Sequence, residues 1–139
     1  MNANESTVPI IGLPSFMVNN LLAGKAVPQR TEKWWGYELT YINAPNAKAN
    51  YCSKMLYFND QGHTSMHFHV DKHETLVVVS GKLTLDIIVN KETKRITLES
   101  GEAWVMPPGL PHRLSALDGP LTIIESSTKD SFFDSMRIA

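Results

Sequence analysis

Gly62-His-Thr-Ser-Met-His-Phe-His-Val-Asp-Lys-His-Glu-Thr-Leu-Val-Val-Val-Ser-Gly81 is the stretch whose reading decides the fold. His67 and His69 are two residues apart, and side chains alternate faces along a β-strand, so both imidazoles point the same way. Phe68 points to the opposite face. Val70-Asp71-Lys72-His73 reads as a turn, and Glu74 opens a strand whose Leu76-Val77-Val78-Val79 core is strongly β-forming. Two imidazoles and a carboxylate on adjacent antiparallel strands can converge on one divalent cation.

A second stretch supplies a fourth donor. Gly101-Glu-Ala-Trp-Val-Met-Pro-Pro-Gly-Leu-Pro-His112 runs through turn residues and ends in a histidine at the start of another strand. Four of the chain's five histidines lie in the first stretch and the fifth is His112. The expected ligand set is therefore His67, His69, Glu74 and His112 around one divalent ion. Such donors suit manganese, iron, nickel, zinc or cobalt. His63, just after a glycine, reads as a solvated loop histidine. His73, beside Glu74, reads either as an exposed turn residue or as a group near the substrate.

The remaining chain is almost all strand. Expected strands run over Gly36–Ile42, Tyr51–Asn59, Glu74–Val79, Leu83–Val89, Arg95–Leu98, Ala103–Met106, His112–Ala116 and Leu121–Ser127, separated by Gly, Pro and Asn turns. Short strands at this spacing indicate an antiparallel barrel or jelly roll. Residues 1–30 form a separate arm with Pro9, Pro14 and Pro28, and Ser15–Gly24 reads as a short capped helix. Residues 31–139 form the barrel domain. The arm is rich in apolar side chains, which predicts docking on the barrel or on a second subunit, hence a homodimer.

Composition excludes several classes. The chain has 139 residues, 42% hydrophobic and 19% charged, with a net charge of −1. That charge gives no basic footprint for nucleic acid. No run approaches the ~18 apolar residues of a membrane span, and the N-terminus shows no secretory pattern. The single cysteine, Cys52, allows no intrachain disulfide and fits a reducing cytoplasm.

The two glycine-framed stretches resemble the paired motifs of the cupin superfamily, through His67, His69, Glu74 and Gly81, then Gly101, Pro107, Gly109 and His112. A finer resemblance covers roughly residues 33–138. Lys33-Trp-Trp-Gly-Tyr-Glu38, Glu74-Thr-Leu-Val-Val-Val-Ser-Gly81, His112-Arg-Leu114, Pro120-Leu121, Ile124-Glu125 and Asp130-Ser-Phe-Phe-Asp134 look like the C-terminal cupin domain of type II mannose-6-phosphate isomerases. In that family a glutamine often holds the position of His67. A nucleotidyltransferase domain usually lies upstream, and 139 residues leave no room for one, so sugar-nucleotide synthesis is not expected.

The resemblance implies a metal-dependent sugar or sugar-phosphate isomerase or epimerase. Strand parity after Leu121 and Ile123 turns Glu125 into the cavity, where it would move the proton. Lys54, alternating with Cys52, Leu56 and Phe58, needs a buried partner, either Glu125 or an anionic substrate. Lys33, Trp35, His73 and Arg113 complete the expected substrate contacts. Resemblance places Arg113 at the site, whereas alternation after His112 turns it away. A redox or lyase cupin acting on a small organic acid, and a non-catalytic binding cupin, are the alternatives.

Overall fold

The computed structural model describes residues 24–138. The expected helix and most of the apolar arm lie outside them. The described residues form two antiparallel sheets with only short 3₁₀ turns besides, the jelly-roll architecture expected from the strand spacing. No helix among them is long and apolar enough to cross a membrane.

Eleven strands follow in chain order: β1 Gln29–Lys33, β2 Gly36–Asn43, β3 Cys52–Phe58, β4 His67–His69, β5 Glu74–Ser80, β6 Leu83–Val89, β7 Glu92–Leu98, β8 Ala103–Met106, β9 His112–Ser115, β10 Leu121–Ser127 and β11 Ser135–Arg137. One sheet has the order β1-β2-β3-β10-β5-β8, the other β11-β4-β9-β6-β7. The hairpin between β5 and β6 turns at Gly81, whose φ of +87° favours glycine. A Cβ there would fall 2.3 Å from the Pro120 carbonyl oxygen.

Two strands were not expected. β1 straddles the expected boundary between arm and barrel at residue 30; Gln-Arg-Thr-Glu-Lys has no apolar alternation, and all five residues are exposed. Pairing with β2 across Trp34-Trp35 defines it. β11 is likewise fully exposed and is defined by pairing with β4.

Inward positions divide each central strand into an apolar and a polar end. β3 presents Phe58, Leu56, then Lys54; β10 presents Leu121, Ile123, then Glu125; β5 presents Val78, Leu76, then Glu74. Register aligns these transitions, with Leu121 opposite Phe58, Ile123 opposite Leu56 and Glu125 opposite Lys54. Leu83, Leu85 and Ile87 of β6 and Leu114 of β9 complete the apolar core from the other sheet. Hydrophobic burial thus holds the sheets together at one end. The opposite end gathers the chemistry.

Candidate metal centre

β4, β5 and β9 carry the donors to one place. His67 stands opposite His112 in the β4–β9 pairing, and His69 follows on the same face. Donor nitrogens of His67, His69 and His112 all lie within 4.8 Å of one another. Glu74 enters from the other sheet, with Oε2 3.7 Å from His69 Nε2 and Oε1 3.7 Å from His112 Nε2. The four expected ligands therefore sit together at the polar end.

Orientation favours a cation. His67 Nδ1 donates to the Ser65 carbonyl at 2.9 Å and His112 Nδ1 to the Leu110 carbonyl at 2.8 Å, which leaves each Nε2 lone pair for the centre. Burial pushes the His69 and His112 imidazoles down, to about 4 and about 3, and lowers that of His67, so all three are neutral ligands at pH 7. Burial, with Glu125 adding to it, pushes the Glu74 carboxyl up to about 7 against the pull of Lys72. Glu74 Oε2 is buried without a well-directed hydrogen bond, although Lys72 Nζ lies 3.2 Å away. An orphaned carboxylate oxygen facing imidazole nitrogens is the arrangement a divalent metal satisfies.

Charge counting agrees. Lys72 Nζ touches Glu74, Glu125 at 2.8 Å and Asp130 at 3.0 Å. Lys54 Nζ touches Asp130 at 2.6 Å and Glu38 at 3.3 Å. Lys72 and Lys54 thus face four carboxylates, with Lys33 4.0 Å from Glu38 as a third ammonium at the rim, and a divalent cation would offset the negative charge that remains. Burial opposes both ammoniums, yet the surrounding carboxylates outweigh it and raise their pKa values. Asp130 is held well below the usual carboxylate range because Lys72 and Lys54 outweigh the effect of burial.

A cavity of about 690 Å³ opens over this end, lined among others by Lys33, Trp35, Lys54, Lys72 and Glu125. Lys54 corrects one expectation: its partners are Asp130 and Glu38, and Glu125 pairs with Lys72 instead. Trp35 reaches the cavity, but it is 7% exposed and stacks on Phe58 with ring centroids 4.2 Å apart. Trp34, 65% exposed, and Phe132 are the exposed aromatics that line the cavity. His63 is half-buried and packs edge-on against Trp34, so it is not a freely solvated loop residue.

Arg113 and His73 do not line the cavity. Alternation turns Arg113 away from the face that carries His112 and Leu114, opposite Asp86 of β6. His73 is exposed, and its backbone N–H donates to Thr128 Oγ1 at 3.0 Å. Lys72, Asp130 and Glu38 were missed. Lys72 had a signal: the parity that turns Glu74, Leu76 and Val78 inward extends back to it, and all four are buried. Asp130 comes from the irregular segment after β10, and its one signal was its place in the resemblance of residues 130–134.

Residues 55–126, just over half of the chain, match the family model of the cupin domain. Among solved structures, oxalate decarboxylase from Bacillus subtilis superposes with a TM-score of 0.70 at 16% identity, over 80% of this chain and 30% of that one. The capsular polysaccharide assembling protein CapF from Staphylococcus aureus gives 0.70 at 18%, over 91% and 35%. CapF with the inhibitor 3-isopropenyl-tropolone gives 0.69 at 17%, over 83% and 35%. At these identities the likeness is one of fold, and the chain spans about a third of those proteins' length. No curated protein matches the sequence. With the jelly roll, the four gathered donors and the family match together, the chain belongs to the cupin family.

Proposed function

We propose that this cupin is a metal-dependent isomerase or epimerase of a sugar or sugar phosphate. The observation that carries the proposal is a cavity of about 690 Å³ in which the donor cluster and a buried, tethered carboxylate share one polar end. That volume falls in the range of pockets for drug-sized ligands and far exceeds a two-carbon diacid, which favours a sugar over the small organic acid of a redox cupin. The resemblance of residues 33–138 to type II mannose-6-phosphate isomerases supports the same class.

A divalent metal bound by His67, His69, Glu74 and His112 would supply Lewis-acid polarisation of a carbonyl. Glu125 is the proton carrier. Lys72 and the Ser127 hydroxyl both hold its Oε2, at 2.8 and 3.1 Å, which leaves Oε1 for the substrate. Glu125 takes a proton from the hydroxyl-bearing carbon beside the carbonyl and returns it to the former carbonyl carbon, while the proton of that hydroxyl passes to the former carbonyl oxygen, so atoms balance without a co-reactant. Lys54 and Lys72 are held as ammoniums and serve as counter-charges rather than bases. Lys54 is buried and closely paired with Asp130, so a phosphate falls to the more exposed Lys33, which sits 4.0 Å from Glu38, and to Arg137 at the rim, with Trp34 beside the sugar.

The protein is further proposed to work as a cytoplasmic homodimer. Sheet edges at β1 and β11 that are unpaired among the described residues, with the exposed Phe132 and Phe133, support association, and light scattering reads it directly. Function is tested by proton exchange at the second carbon of hexose, pentose and heptose phosphates in heavy water. Glu125→Gln should keep fold and metal yet lose ~10²–10⁴-fold in exchange. Absence of exchange with every sugar phosphate in metal-loaded protein would instead favour the redox or binding cupins.

A further inference from the structure

The three histidines are not held alike. Backbone carbonyls two residues earlier fix the Nδ1 atoms of His67 and His112, but His69 Nδ1 is buried with no hydrogen-bond partner. The nearest carboxylate is Asp134 in the 3₁₀ turn Phe132–Asp134, whose Oδ2 lies 3.9 Å from that nitrogen. Asp134 is itself anchored. Oδ1 accepts from the Asp71 N–H at 2.7 Å and Oδ2 from the Lys72 N–H at 3.1 Å, which leaves Oδ2 a further lone pair. β11, directly after Asp134, pairs with β4, with Ser135 opposite His69. The C-terminal segment is thus registered against the strand that carries two ligands.

We propose that Asp134 is a positioning residue for the metal centre, its carboxylate accepting from His69 Nδ1–H and so reserving the Nε2 lone pair for the ion. A ring shift of about 1 Å brings the 3.9 Å separation to ordinary hydrogen-bond length. Metal-bound imidazoles commonly donate their second N–H to such a carboxylate, which fixes the tautomer and raises ligand basicity.

Asp134→Asn keeps its one oxygen for the Asp71 N–H, gives up the acceptor of the Lys72 N–H, and turns an N–H₂ toward His69 that favours the opposite tautomer. Zinc and cobalt affinities by chelator competition should fall roughly 10–100-fold. In metal-free wild-type protein at pH 7.5, nitrogen-15 NMR should show His69 protonated at Nδ1. A residue that only caps the 70–73 turn would lower the melting temperature and leave both readouts unchanged. The proposal is overturned by a variant affinity within twofold of wild type, or by a wild-type His69 protonated at Nε2. The second measurement needs no variant and stands even if Asp134→Asn fails to fold.

Discussion

Replacing Lys72 with methionine isolates the charge at the heart of the site. Methionine keeps most of the alkyl stem, so packing changes little, while an ammonium within 3.2 Å of three carboxylates disappears. Asp130 keeps Lys54 at 2.6 Å, so the uncompensated groups are Glu74 and Glu125, both about 5% exposed. Breaking a buried ion pair from one side costs about 3–5 kcal/mol. For a domain of this size that lowers the melting temperature by roughly 10–15 °C.

The loss should depend on pH in one direction. Glu74 has its folded pKa raised above the unfolded value by burial and by Glu125, and removing Lys72 takes away the main opposing pull. Its carboxylate is therefore tolerated below pH ~4 and becomes destabilising as pH rises through the folded value. The deficit against wild type should be smallest near pH 5 and largest at pH 8. Saturating divalent metal should narrow it, because the cation neutralises Glu74. Circular-dichroism melts at pH 5, 6.5 and 8, with chelator and with metal, measure all three effects. A melting temperature within about 2 °C of wild type at pH 8, unchanged by pH, would refute the assignment of Lys72 as the buried counter-charge.

Asp130→Asn should lower the melting temperature at pH 7 by on the order of 5 °C. Because the Asp130 pKa is depressed, its contribution is present above the unfolded value of about 3.9 and is lost as pH falls through the folded one, so the variant's stability should be flatter below pH 4. Gly36→Ala should cost about 3 kcal/mol or more or abolish soluble expression, since a Cβ would lie 1.9 Å from the Tyr57 carbonyl oxygen at a φ of +152°. Chelation should lower the melting temperature and zinc or manganese at 100-fold above Kd should restore about 2.7 kcal/mol. His69→Ala, measured by metal analysis after dialysis, should retain no stoichiometric ion.

Local chemistry made the barrel and its ligands legible. Period-two alternation is a property of adjacent residues, so the facing of His67 with His69, and the inward sense of Glu74, Leu76 and Val78, follow from the chain alone. The turns at Gly81 and after Gly101 are equally local. The same parity gave Glu125 and turned Arg113 away. Lys72 was lost because reading Val70–His73 as a turn starts the alternation at Glu74, two residues too late.

What tertiary structure decided is which charges meet. Asp130 and Asp134 lie more than fifty residues from Lys72 and His69; the Asn43 side chain holds the Asp130 backbone in place, and the return of the chain through β11 onto β4 brings Asp134 to His69. Exposed β1 and β11 carry no apolar pattern, since no buried face constrains their side chains, so pairing alone defines them. The partners of Lys54 depended on which carboxylates reached the same buried end. A sequence records that an ammonium must be paired; packing selects Asp130 and Glu38 for one lysine and Glu125 for the other.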